Sequence, residues 1–302
     1  MCFKKVCVLV GEIEKTEIII YFSRLLSVLM IYGAEEVFTP LRAVILAKPD
    51  YFNVTTAVLP QQQAWIHNVD LEKAQYQHRQ LADQFKQLRI TTHYLPTLEG
   101  KVDQVFVRDA GAISSRGALL SDFSAEWRKG EERALAALCE QYAIPILNNG
   151  KTFSFEGGDF FFLGGGKAIL GKGPRTHCEN DDLVRVLGLN LIYTVEHQSP
   201  HHLDAVFNIV REDLVVVNRK YVDYKAPYFL GKKMIDLDDD DFENLAANYI
   251  VLDRGMILAD KGSNRLHQQL RKWGMDVIET DVSELKKGGG SIRCMTLPLR
   301  RG

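Results

Sequence analysis

Cysteine and proline are scarce in this chain, five and nine in 302 residues. The cysteines (Cys2, Cys7, Cys139, Cys178 and Cys294) are odd in number and far apart, which argues against a disulfide framework and fits a reducing, cytoplasmic location. Paired metal-ligand spacings are also missing. The only Cys/His neighbours, His177-Cys178 and His201-His202, have no matching partner pair, so no metal site is expected. There is no long basic stripe: the formal net charge is -2 and the signs are interspersed, so nucleic acid is not an expected partner. No Pro/Ser-rich linker divides the chain. Residues 18 to 32 are apolar, but Arg24 interrupts them, and the run is too short to span a bilayer comfortably and lacks a small-residue cleavage pattern. They read as an upstream extension or amphipathic helix, with the natural start expected at Met30. The expected partition is an N-terminal extension over residues 1–35 and a single catalytic α/β domain over 36–302. No membrane partner is expected, and a homodimer is left open.

What is present is a substantial apolar fraction, 46%, enough for a packed core. From Phe38 onward, short strand-like runs alternate with amphipathic helices. Leu41 to Lys48 reads as a strand, Leu71 to Arg89 as a helix with Leu81, Phe85 and Leu88 at helical spacing, and Ile90 to Leu95 as a strand. Val105 to Ser114 and Ala118 to Ser121 read as a hairpin around Arg116-Gly117, followed by a helix over Ala125 to Tyr142 and a strand at Ile144 to Leu147. The order of two strands, a helix and a strand returns. Phe160 to Leu163 pairs with Ala168 to Leu170, then come a helix near Asp181 to Leu187 and a strand at Leu191 to Val195. Ala205 to Val210 pairs with Leu214 to Val217, then a helix near Asp240 to Ala247 and a strand at Tyr249 to Leu252. Met256 to Ala259, a helix over Asn264 to Trp273 and Asp276 to Glu279 finish the series. Four or five units of roughly 50 residues suggest a radial architecture, with an ordinary α/β sandwich as the alternative.

The chemistry-bearing residues lie far apart in sequence, each in a glycine or turn context. Cys294 follows Gly288-Gly289-Gly290 and precedes an apolar run. A lone cysteine is most often an inert buried thiol, but glycines permit close approach of a substrate, and a bound cation would favour the thiolate. In Glu156-Gly157-Gly158-Asp159 the glycines are what a hairpin demands, while a carboxylate there could also orient an imidazole. His202 and Asp204, read as extended, share one face, which would place general acid/base chemistry beside a cation clamp. Asp109 ends an apolar strand-like run, where a carboxylate is costly unless paired. Several acids and one thiol suit a planar guanidinium. The acidic run from Asp236 to Glu243 lacks the glycine and ligand alternation of a calcium loop and reads as a turn and acidic helix start.

Taken together, Phe106-Val-Arg-Asp109, Glu156-Gly-Gly-Asp159, His202-Leu-Asp204 and Gly288-Gly-Gly-Ser-Ile-Arg-Cys294-Met-Thr296 resemble the guanidine-modifying superfamily, which includes arginine deiminase, dimethylarginine dimethylaminohydrolase and glycine amidinotransferase. The motifs are most similar to those of bacterial dimethylarginine dimethylaminohydrolase-like proteins and stand in the family's order over about residues 38 to 301. The resemblance implies a five-bladed α/β-propeller (pentein) of ββαβ units. It implies Cys294 as nucleophile, His202 as general acid and base, Glu156 as the carboxylate orienting His202, and Asp109 and Asp204 as guanidinium ligands. More loosely, it implies Asp103 on the substrate amino group and Arg128 and Arg175 on its carboxylate, hence a free guanidino amino acid as partner and no cofactor. One departure bears on the substrate. Dimethylarginine hydrolases typically carry Glu before the motif aspartate and a non-acidic residue two after the histidine. Arg108 and Asp204 occupy these positions, as in arginine deiminases and amidinotransferases. A second buried carboxylate wants an unsubstituted N–H edge, and methyl groups would leave it unpaired at a cost of about 1 to 3 kcal/mol. The expected reaction is therefore arginine to citrulline and ammonia, with dimethylarginine hydrolysis, amidinotransfer and a non-catalytic binding protein on the same fold as alternatives.

Overall fold

The computed structural model describes residues 32–148 and 154–302. The expected extension and the Met30 start therefore lie almost wholly outside the described residues. The elements run in chain order through five separate small sheets. β1 (Leu41–Leu46), α1 (Leu71–Gln87) and β2 (Thr91–Tyr94) open the chain, and β3 (Gly111–Ser114) and β4 (Gly117–Leu120) form a hairpin before α2 (Glu132–Gln141). β5 (Phe160–Gly164), β6 (Lys167–Lys172), α3 (Asn180–Leu187) and β7 (Leu191–Glu196) make a complete unit. β8 (Phe207–Arg211), β9 (Leu214–Val217) and β10 (Lys233–Asp236) follow, then α4 (Asp239–Glu243), β11 (Ile250–Val251), β12 (Met256–Asp260), α5 (Asn264–Lys272), β13 (Asp276–Thr280) and the closing β14 (Leu297–Arg301).

One pairing rule governs the sheets. A first strand pairs antiparallel with a second, and the second pairs parallel with a third: β5-β6-β7, β8-β9-β10 and β11-β12-β13. In the hairpin β3-β4 the third position is reduced to a single parallel bridge between Ala118 and Ile146. The remaining sheet joins the two ends of the domain. There β14 takes the first position against β1, and β2 lies parallel to β1.

Local chemistry accounts for these elements. Helix α1 starts at Asp70, whose side chain accepts from the Lys73 amide at 3.0 Å, a cap worth about 1 kcal/mol. It stops where Arg89 turns to φ 58°. Its buried face is Ala74, Gln77, His78, Leu81 and Phe85, at the helical interval. The Gly164-Gly165-Gly166 turn between β5 and β6 takes positive φ at all three residues, a conformation strongly disfavoured by a Cβ.

Several expectations need correction. The strand expected over Val105 to Ser114 is cut short, because Val107–Ala110 forms a 3-10 turn and the strand begins only at Gly111. The helix expected from Ala125 is confined to Glu132–Gln141. Arg128 in the preceding segment bonds to Glu131, Asp109 and the Phe106 carbonyl, ties that replace a helical ladder. Asp204 lies in the turn Leu203–Ala205 and not on an extended segment. The helix expected near Asp240 to Ala247 is the short α4, begun by a reciprocal cap between Asp238 and Asp241. β10 was not foreseen. No helix among the described residues is long and apolar enough to cross a membrane.

Candidate active site

Four of the five first strands are preceded by a turn that carries motif residues. Asp109 precedes β3, Glu156 and Asp159 precede β5, His202 and Asp204 precede β8, and Cys294 precedes β14. The turn before the fifth, β11, carries Asn248, which sequence reasoning missed. Glu156, His202, Asn248 and Cys294 follow one another at a constant interval of 46 residues. That interval was the readable signal.

The turns converge on a cavity of about 50 Å3 whose lining includes all the expected residues but Glu156: Asp103, Asp109, Arg128, Arg175, His202, Asp204 and Cys294. Glu156 is fully buried behind His202. Its Oε2 lies 2.8 Å from His202 Nε2, and Oε1 accepts from the amide and hydroxyl of Ser124 at 2.9 and 2.8 Å. The other imidazole nitrogen, Nδ1, is 3.3 Å from Asp109 Oδ1. Burial alone would lower the proton affinity of His202, but the charges of Asp109 and Asp159 and the Glu156 bond and charge outweigh it and raise the pKa to about 10. Burial would likewise raise Glu156, yet its bond to His202 and the cation there hold it down to about 2. The pair is a carboxylate and an imidazolium at neutral pH.

Cys294 is buried, and no hydrogen bond joins it to His202 among the described residues. Asn248 Nδ2 donates to its Sγ at 3.0 Å and to the Asp204 carbonyl at 3.1 Å. Asn248 Oδ1 accepts from the amides of Ser291 and Cys294 at 3.1 and 3.0 Å. One amide side chain thus shapes the Cys294 turn and aims a donor at its sulfur. Both Asp204 oxygens lie near the sulfur, at 3.8 and 3.9 Å. Burial, then Asp204 and Asp109, push the Cys294 thiol well above its ordinary range, which favours the neutral thiol. Asp204 itself is raised to about 6 by burial, against the opposing charge of Arg293, whose Nε is 3.3 Å away.

The glycines serve close approach. A Cβ on Gly158 would stand 2.6 Å from both Asp109 Oδ1 and the His202 ring, and one on Gly290 would enter the Phe106 ring. Asp159 has a supporting position, with Oδ1 accepting from the Leu203 amide at 2.6 Å and lying 3.0 Å from His197 Nε2. Arg128 lines the cavity with its donors committed. It holds Asp109 Oδ2 at 2.5 Å and Glu131 Oε2 at 2.8 and 3.1 Å, which differs from the expected grip on a substrate carboxylate. Arg175 lies over the Trp127 ring, 5.9 Å from its centroid, with no hydrogen bond or ion pair among the described residues. Asp103 Oδ2 accepts from the Trp127 indole at 2.8 Å. Among the described residues no group of three or more His, Cys, Asp or Glu side chains is placed to hold a metal ion.

Chemically, the cavity brings together a thiol, an imidazole held by a buried carboxylate and several acids, groups able to attack, to carry a proton and to hold a planar cation. A family model for N,N dimethylarginine dimethylhydrolase, eukaryotic, matches residues 48–301. The Bacillus subtilis protein YkgA, which has no described activity, is 30% identical over 267 residues, 87% of this chain and 93% of its own length. The Mycobacterium tuberculosis N(G),N(G)-dimethylarginine dimethylaminohydrolase is 26% identical over 276 residues, 85% of this chain and 86% of its own. Among solved structures, the product-bound N-terminal domain of ArgZ, a cyanobacterial arginine dihydrolase, superposes with a TM-score of 0.78 at 23% identity, covering 86% of this chain and 97% of that one. The dimethylarginine dimethylaminohydrolase of Pseudomonas aeruginosa, with citrulline bound, gives 0.70 at 22% identity, covering 85% and 99%.

Proposed function

Because the chain belongs to the N,N dimethylarginine dimethylhydrolase family, we propose that it is a cysteine hydrolase that converts arginine to citrulline and ammonia. The observation that carries the choice of arginine is the second buried carboxylate, Asp204, at 3.8 and 3.9 Å from the Cys294 sulfur. A guanidinium placed over that sulfur presents an N–H edge to Asp204 and another to Asp109. Methyl groups on the first edge would leave Asp204 unpaired in a buried site.

The resting thiol is neutral, and the arriving cation offsets the Asp204 and Asp109 charges that hold it so. Cys294 then passes its proton to solvent water and attacks the guanidinium carbon while Asn248 Nδ2 donates to the sulfur. The imidazolium of His202 protonates the departing nitrogen, and ammonia leaves a covalent thiouronium. His202, now neutral and oriented by Glu156, takes a proton from water, whose oxygen adds to the same carbon. The thiolate is expelled and regains a proton from the added hydroxyl, whose oxygen remains as the citrulline carbonyl. Arginine plus water thus balances citrulline plus ammonia. Asp103 and Arg175 hold the α-amino and α-carboxylate groups, and Arg128 fixes Asp109. No cofactor takes part in this scheme.

The five sheets, on this reading, stand as five blades around an axis, with their leading turns meeting over the site. The shared pairing rule and the 46-residue interval support that arrangement, as do the fold neighbours.

Dimethylarginine hydrolysis is the second reading, favoured by the family model and by the M. tuberculosis relative. Mass spectrometry of products from arginine and from asymmetric dimethylarginine, offered separately, decides between them. Citrulline with ammonia from arginine and a far slower reaction of the methylated substrate is the expected result. Citrulline with dimethylamine as the faster reaction would transfer the assignment to the second reading.

A further inference from the structure

A second cavity, of about 40 Å3, runs along β3, β5, β11 and β14, further down the strands whose leading turns build the first. It is lined by Arg108, Arg293 and Arg301 together with Phe160, Phe161 and Phe162. Arg108 and Arg293 are only 7% and 6% exposed. Their donors meet mostly neutral acceptors. Arg108 Nε reaches the Arg293 carbonyl at 3.5 Å, and Arg293 Nη2 the Phe160 carbonyl at 3.2 Å. Arg301 donates to the carbonyls of Thr39 and Val251 at 2.9 and 2.5 Å. The guanidinium carbon of Arg293 lies 3.9 Å from the Phe161 ring centroid. Among the described residues, Arg108 Nη2 has no partner at all, and a single ion pair, Arg293 with Asp204, serves the three guanidiniums.

Guanidinium groups do not shed their charge in proteins, and an unpaired buried cation is among the costliest groups a fold can hold. Burial first, then the charge of Arg293, lower the proton affinity of Arg108 and bring Arg301 to about 9. We propose that this cavity binds a small oxyanion, phosphate or a short carboxylate, through Arg108 Nη2 with Arg293 and Arg301. Planar forks pair bidentately with such groups. Since Arg293 also faces Asp204, occupancy would draw it toward the anion and loosen Asp204, linking the cavity to the acidic site. The inference does not depend on which substrate that site takes.

The direct test is a crystal of the full chain soaked in selenate, an oxyanion visible by anomalous scattering. A peak within hydrogen-bond distance of Arg108 Nη2 is expected, and a peak only at Arg175 in the first cavity, or none, would overturn the proposal. In solution, phosphate and acetate, titrated at constant ionic strength, should raise the melting temperature by several degrees at saturation. The shift should be lost in Arg301→Gln and kept in Arg175→Gln. The reverse pattern would assign the anion to the first cavity. If Arg301→Gln fails to fold, the selenate map decides alone.

Discussion

In the turn before β3 and in the turn before β14, adjacent residues face different cavities. Asp109 and Cys294 line the first, and Arg108 and Arg293 line the second. The first collects Asp103, Asp109 and Asp204 around a thiol, and the second collects three guanidiniums. Asp204 and Arg293 meet between them at 3.3 Å. Asp109 is offset by Arg128 and His202 and Asp204 by Arg293, whereas Arg108 and Arg301 have no ion pair among the described residues. The acidic cavity raises its thiol, whereas the basic cavity has a donor, Arg108 Nη2, without an acceptor among the described residues. A single substitution at the boundary should therefore be felt on both sides.

The largest effect belongs to the proposed nucleophile. Cys294→Ser should reduce turnover of arginine by at least about a thousand-fold while arginine binding stays measurable by calorimetry. Next comes the proton donor. Glu156→Gln removes the bond and charge that help hold His202 near 10, so kcat should fall by about 100- to 10,000-fold. The alkaline limb of the pH-rate profile should move toward neutrality, because His202 must be protonated to donate and its pKa would drop. An unmoved limb would detach His202 from that step.

Asn248→Ala should cost turnover about ten- to a hundredfold, and stability about 1 to 3 kcal/mol, because Asn248 leaves buried donors and acceptors unpaired. Urea unfolding separates the two effects, and Asn248→Asp, which keeps the acceptor but sets a charge by the sulfur, should restore stability more than rate. The mildest change is at the boundary. Asp204 is raised to about 6, so KM for arginine should rise as pH falls through that value and the acid neutralises. Asp204→Asn should raise KM throughout, flatten that limb, and affect arginine more than dimethylarginine. Equal losses for both substrates would remove the argument from the second carboxylate.

Much of this arrangement could be read before the coordinates. The periodicity of Leu81 and Phe85 marked α1, and the triple glycine marked the β5-β6 turn. The motif residues were legible because thiol, imidazole and carboxylate are chemically conspicuous in glycine contexts. Asn248 was not, since an asparagine ahead of a strand reads as an ordinary turn residue. Only its bonds to the sulfur and to two amides distinguish it. The run Val105 to Ala110 misled because its apolar residues are buried in and just before a 3-10 turn, and burial without alternation does not specify a strand. β10 escaped because Lys233 to Asp236 carries only two apolar residues and owes its form to pairing with β9. The second cavity was hidden in the same motifs, because sequence adjacency does not reveal that Arg108 and Asp109 point to different sides.

The central claim is that the Cys294 sulfur bonds to the guanidinium carbon. Acid quenching during turnover of arginine, followed by intact-protein and peptide mass spectrometry, measures it directly. The account predicts an amidino-type adduct on the peptide containing Cys294, absent in Cys294→Ser. Citrulline accumulating at an undiminished rate in Cys294→Ser, with Cys294 never modified in the parent enzyme, would contradict it.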